Sequence, residues 1–292
     1  MEKNSLMRHE ADWTALRDDA YSRADGAQEP EEVYAALHVA VGALGDGHSQ
    51  FLEPEEAEQR LETSVSAFDG LEGRPLANRI GYVSLPPVVG SEETLEHYAR
   101  QGKEAVTRAN HGGACGWVVD LRDNTGGNMA PMLAVVAPVL GDGEVGAFVD
   151  PDGKKSAWTV RNGIPHFNGQ DHTWGPSALV GTGDAPVAVL TSGRTASSGE
   201  AITVAFRGRP DTRSFGEPTR GLPTGNESYR LSDGAVLNLT VVKDADRTGR
   251  TYDAPIPPDE EILVDRTARG TSADRALASA ANWLTKQTAC KR

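Results

Sequence analysis

Cysteine is nearly missing from this chain: Cys115 and Cys290 are the two thiols among 292 residues. Two cysteines so far apart make neither a multi-bridge scaffold nor a CxxC metal site, so two reduced thiols in a reducing compartment are the simplest expectation. Cys115, set between Gly113-Ala114 and Gly116-Trp117, reads as a small buried residue at the start of a strand. Long hydrophobic runs are lacking too. No stretch approaches the roughly 18 apolar residues of a membrane span, and the opening Met1–Asp12 has no apolar core of the kind a secretory signal needs. Positive charge is in deficit, with 29 Lys and Arg against 42 Asp and Glu, a net charge of −13. That balance argues against nucleic acid or an anionic membrane surface as partner, since both require a basic face. The expectation is a soluble cytoplasmic protein.

What is present suits a packed enzyme-sized domain. The chain is 38% hydrophobic and 24% charged, and long enough for one large domain or a domain with an appendage. Residues 10–62 carry helical patterns. Pro30-Glu31-Glu32 opens a helix whose Val33, Leu37 and Ala40 share one face, and Gly42 to Gly45 close it. The loop Asp46–Phe51 follows, then a helical turn from Pro54. From about residue 70 strands alternate with helices. Ile80–Leu85, Trp117–Leu121 and Pro186–Leu190 read as strands, and 91–110, Met129–Leu140, Glu200–Phe206 and 272–287 as helices. Asp152-Gly153, Asn162-Gly163 and Asp233-Gly234 mark hairpin turns. The reading is an α/β protein with an N-terminal helical subdomain, residues 1–65, and a core, residues 66–292.

One turn carries chemistry. Ser197 stands in Thr195-Ala196-Ser197-Ser198-Gly199-Glu200, between a buried-type strand and a helix. A hydroxyl on a tight strand-to-helix turn is exposed, and the N–H groups that follow point toward what it attacks. An activated Ser197 makes an acyl-transfer enzyme; otherwise this is an ordinary α/β turn. A serine nucleophile needs a base, usually histidine. Histidines stand at 9, 38, 48, 97, 111, 166 and 172, and none follows the serine. The chain order Ser…Asp…His is therefore impossible, and the base must come from upstream. His48, in a glycine-flanked loop, is the best candidate. The loop Asn124-Thr125-Gly126-Gly127, after a buried strand, suits an oxyanion hole because glycine lets a carbonyl approach the backbone.

Six strings occur in one order: Leu44–Ser49, Ile80–Val83, Asp120–Gly127, Ser192–Glu200, Gly216–Gly221 and Pro255–Asp259. Together they resemble the S41 peptidases, the C-terminal processing proteases and the tricorn core protease, from about residue 30 to 265. The resemblance implies a ClpP/crotonase-like α/β core with no metal or organic cofactor, acting on a peptide or small acyl substrate, with a homo-oligomer among the assemblies such relatives form. It places the nucleophile three residues before Glu200, at Ser197. It implies oxyanion donors at the Ser198 N–H and at Gly126 or Gly127. The processing branch has a lysine base where this chain has Leu222, which cannot accept a proton; Lys243 is too far along to replace it. The tricorn-like branch instead implies His48 as base, oriented by an acid at the position of Asp253. The serine that precedes that base in the tricorn branch is Gly47 here. Arg122 and Asp123 are expected to hold the glycine loop, and Arg194 and Arg220 to meet a substrate carboxylate. Residues 63–79 are too few for the peptide-binding PDZ domain that many relatives insert. Alternatives are an ester or lactone hydrolase, a peptide cyclase, or a non-catalytic ligand carrier.

Overall fold

The computed structural model describes residues 1–61, 67–174 and 183–291. The elements run in chain order from α1 (Trp13–Arg23), α2 (Tyr34–Gly42), β1 (Gln50–Leu52) and α3 (Pro54–Leu61) to β2 (Glu72–Leu76), β3 (Ile80–Ser84) and α4 (Glu92–Ala109). Then come β4 (Gly116–Asp120), α5 (Met129–Leu140), β5 (Gly143–Val149), β6 (Lys155–Arg161), β7 (Ile164–Phe167) and β8 (Gln170–Asp171). The last part is β9 (Val187–Thr191), α6 (Ser198–Phe206), β10 (Thr212–Gly216), β11 (Thr224–Arg230), β12 (Val236–Asp246), β13 (Glu260–Glu261) and α7 (Arg275–Thr285). A domain boundary at residues 65/66 falls outside the described residues.

Two sheets organise the α/β fold. The first has the order β13-β10-β9-β4-β3-β2 and is parallel except at β2. Its strands β3, β4 and β9 are buried along their whole length, as strands covered on both faces must be. Their residues alternate between two cores. Val83, Val119 and Val189 face α5 and α6, while Tyr82, Val118, Ala188 and Leu190 face α7 through Ala280 and Leu284. The second sheet is antiparallel, in the order β1-β12-β5-β6-β7-β8, with β11 also on β12. Helix α5 lies in the core between them. All twelve of its residues are buried, which explains why its sequence is apolar on every side.

The N-terminal segment joins this second sheet directly. Gln50–Leu52, expected as loop, pairs antiparallel with Asn238–Val236. Tyr34, Val41 and Phe51 pack with Ala235, and Leu44 with Leu239 and Val241. The residues around His48 are thereby clipped to β12 by a strand of three residues. Among the described residues, no helix is long and apolar enough to cross a membrane.

Cys115 and Cys290 form a disulfide, with Cα atoms 5.1 Å apart, across a sequence separation of 175 residues. This corrects the expectation of two free thiols and removes the argument for a reducing compartment. The bridge ties the chain's C-terminal turn to the start of β4.

Candidate active site

Ser197 sits between β9 and α6 with φ 52° and ψ −121°, a backbone region that costs a non-glycine residue about 1–3 kcal/mol. The cost is met by Glu200. Its buried carboxylate accepts from the Ser197 N–H (2.9 Å), the Thr219 hydroxyl (2.5 Å), the Gly221 N–H (2.9 Å) and the Leu222 N–H (2.8 Å). Burial raises the Glu200 pKa while these four bonds oppose the rise. In the sequence Glu200 served only to mark which serine is the nucleophile. In the fold it joins the nucleophile turn to the 219–222 loop. The signal was there: a glutamate at the third position of a helix reaches back to the N-cap N–H.

The glycine loop closes on the other side of the serine. Gly126 and Gly127 have φ 106° and 111°, accessible to glycine without strain. A Cβ on Gly126 would lie 2.7 Å from the Ser197 Cβ, and one on Gly127 2.0 Å from the Val88 carbonyl oxygen. The two glycines have different tasks. The Gly126 N–H is engaged by the Asn124 side-chain oxygen at 2.9 Å and the residue is buried, so it is not an oxyanion donor. Gly127 is exposed to the cavity, and among the described residues nothing accepts its N–H or that of Ser198. The Ser198 hydroxyl donates to the Gly127 carbonyl at 2.5 Å, which fastens the two donor-bearing segments to each other.

Arg122 and Asp123 act on this loop from behind, as expected. The buried Arg122 guanidinium binds Asp120 (2.7 and 3.0 Å) and bidentately Asp274 (2.8 and 2.9 Å) at the start of α7. Asp123 pairs with Arg269. Arg194 is drawn into the same network, 3.4 Å from Asp123. Neither Arg194 nor the exposed Arg220, expected to meet a substrate carboxylate, lines this cavity; among its lining residues the arginine is Arg60.

His48 reaches the cavity from the opposite sheet. Asp46 holds its loop by accepting from the His48 N–H (2.9 Å), the Ser49 N–H (2.7 Å) and the Ser49 hydroxyl (2.6 Å). The imidazole is 8% exposed, and its Nδ1 bonds the Thr224 hydroxyl at 2.7 Å. Burial lowers the His48 pKa; Asp46 opposes that and Arg60 reinforces it. The ring is thus neutral near pH 7, with Nε2 able to accept a proton when Nδ1–H donates to Thr224. Asp253 is not brought to His48. Its exposed carboxylate pairs with Lys243 at 3.1 Å, and the group bonded to the ring Nδ1 is the Thr224 hydroxyl. Thr224 opens β11 directly after the loop held by Glu200, and nothing in its sequence surroundings marks it.

Ser197 and His48 line one cavity of about 470 Å³ between the two sheets. No hydrogen bond joins them, a looseness common in ligand-free sites. Val89, Met129, Phe148 and Phe167 supply apolar wall and Asn128, Asn168, Asn226 and Asn238 polar wall.

A family model for peptidase family S41 matches residues 79–262. The chain is 26% identical over 290 residues to the nisin-resistance protein of Lactococcus lactis subsp. lactis, covering 98% of this chain and 84% of that protein. It is 28% identical over 206 residues to the chloroplastic carboxyl-terminal-processing peptidase 2 of Arabidopsis thaliana, covering 65% of this chain and 36% of that protein. Among solved structures, a lipoprotein from Streptococcus agalactiae matches with a TM-score of 0.77 at 27% identity, covering 97% of this chain and 92% of that one. The photosystem II D1 C-terminal processing protease matches with a TM-score of 0.61 at 15% identity, covering 90% of each chain, a likeness of fold.

Proposed function

Since the chain belongs to peptidase family S41, we propose that it is a serine peptidase working through Ser197 and His48. The observation that carries this reading is a strained serine and a buried neutral histidine lining one cavity, beside two unengaged backbone N–H groups. His48 Nε2 takes the Ser197 proton as Oγ bonds to the substrate carbonyl carbon. The carbonyl electrons move to oxygen, where the Gly127 and Ser198 N–H groups stabilise them. The imidazolium then gives its proton to the leaving amine, the C–N bond breaks, and water repeats the sequence on the acyl-enzyme. Thr224 accepts the Nδ1–H throughout and keeps the tautomer, the task an aspartate has in the better-known triad.

The likeness to a nisin-resistance protein extends over nearly the whole chain, which makes peptide antibiotics, nisin among them, the first substrates to try. The disulfide further supports an oxidising compartment as the protein's place of action.

The test is labelling with a fluorophosphonate at neutral pH, followed by mass spectrometry of nisin and of a mixed peptide library after incubation. Labelled wild type, unlabelled Ser197→Ala, and cleavage falling at least about 10⁴-fold in Ser197→Ala and His48→Ala are expected. Folded wild type that neither labels nor cleaves any peptide would sink the reading.

A further inference from the structure

A buried carboxyl on the cavity lining is unlike Glu200 in every respect but depth. Asp244, in β12, is 0% exposed, and neither of its carboxyl oxygens has a hydrogen-bond partner. Its main chain is fully used: the N–H donates to the Pro223 carbonyl at 3.0 Å, and its own carbonyl accepts from Tyr252 at 2.9 Å. The side chain therefore has a fixed place, opposite Phe148 across the β12–β5 ladder. It shares the cavity lining with Ser197, Ala201, Leu222 and Phe148. Buried polar groups in folded proteins are nearly always paired, and an orphaned carboxyl calls for an explanation.

Among the described residues no partner answers it. Lys243, its chain neighbour, pairs with Asp253, and Arg60, on the same cavity lining, donates to Gln50. Glu200 lies close enough to push the Asp244 pKa up further, after burial has raised it well above the ordinary range. An orphaned carboxyl on the cavity lining, with the Glu200 carboxylate near enough to act on it, favours a positive charge beside it. Phe148, Ala201 and Leu222 supply apolar walls for an aliphatic stem.

We propose that Asp244 is the floor of a specificity pocket beside Ser197 that takes a cationic side chain, lysine or arginine, from the substrate residue that supplies the scissile carbonyl. This rests on Ser197 being the nucleophile. Burial raises the Asp244 pKa; an ammonium or guanidinium group entering the pocket favours the ionised carboxylate, any proton it carries passing to solvent, and forms a buried, charge-assisted hydrogen bond. Cationic substrates consequently bind less tightly as the pH falls, and neutral ones do not share that dependence.

The experiment compares peptides that differ only at this residue: lysine, arginine, glutamine, norleucine and glutamate. Wild type is expected to prefer lysine or arginine. Asp244→Asn, and separately Asp244→Leu, should lower the lysine-to-norleucine ratio of kcat/KM by about 100-fold, the scale of losing one partner of a buried charge pair. Two variants are used because one of them may pack poorly; a thermal melt identifies which are folded. A wild type that prefers neutral or acidic residues overturns the proposal, as does a parallel loss on all five peptides in a folded variant. Fluorophosphonate labelling of wild type is run alongside. Labelling with the wrong preference defeats the pocket alone, whereas absent labelling defeats the nucleophile and the pocket with it.

Discussion

The two halves of the proposed catalytic pair are held in contrasting ways. Ser197 belongs to the parallel sheet, on a turn between fully buried β9 and fully buried α6, with Glu200 making four bonds beneath it. His48 belongs to a loop anchored by one aspartate and followed by a strand of three residues on the antiparallel sheet. The serine side is over-determined, which is what a strained backbone needs in order to persist. The histidine side has fewer constraints and one orienting hydrogen bond, to a neutral hydroxyl. The chemistry therefore depends on how two separately built walls meet across a cavity.

This contrast is broken most severely from the serine side. Glu200→Gln puts an amide NH₂ where donors already converge, so at least one N–H loses its acceptor. A stability loss of about 2–4 kcal/mol is expected by denaturant titration, with cleavage down about 100-fold as the turn relaxes. An unchanged melt and unchanged cleavage would show that the turn holds its shape without the carboxylate.

The histidine side should yield a smaller and more selective effect. Thr224→Val deletes the acceptor of Nδ1–H and keeps the shape, which should lower kcat about 10-fold, the worth of one neutral hydrogen bond, with little change in KM. Asp253→Ala is the matching control. Its exposed ion pair with Lys243 should matter little to stability, and kcat/KM should stay within about twofold. If Asp253→Ala proves the more damaging of the two, the orienting role returns to the acid.

The pH profile sharpens the comparison most gently. Burial depresses the His48 pKa, so the base stays neutral to a lower pH than free imidazole. On neutral substrates, the acid limb of kcat/KM should fall below about pH 6.5, the ordinary histidine value. The stability linkage has the same origin. Below the unfolded pKa the unfolded chain binds the proton more readily than the folded one, so stability from this group declines as pH falls and is unaffected above that value. An acid limb at or above pH 6.5 would contradict the buried setting of the ring.

Much of the fold could be read in residue order. Met129–Leu140 has an apolar side on every face, and it is the helix buried between the sheets. The turn at Asp233-Gly234 joins β11 to β12 as expected. Other features left no local mark. Gln50–Leu52 is too short to display alternation and is a strand only because β12 lies beside it. Cys115 and Cys290 could not be paired by inspection, since a disulfide requires a close approach that spacing does not reveal. Motif order places Asp253 in the chain without aiming its carboxylate, which pairs with Lys243. An acid within a strand, such as Asp244, reads as a solvent-facing position.

The sequence by itself determined the family, the α/β alternation and the strand-turn-helix setting of Ser197, since these are local patterns that motif spacing can carry. It also determined that any histidine partner of Ser197 lies upstream, as no histidine follows residue 172. Only the tertiary structure decided that Thr224 bonds the His48 ring, that the cysteines are bridged, and that, among the described residues, nothing accepts the Gly127 N–H or pairs with the Asp244 carboxyl. Each of these is a matter of direction and distance between residues far apart in the chain. Packing sets those quantities, and residue order does not.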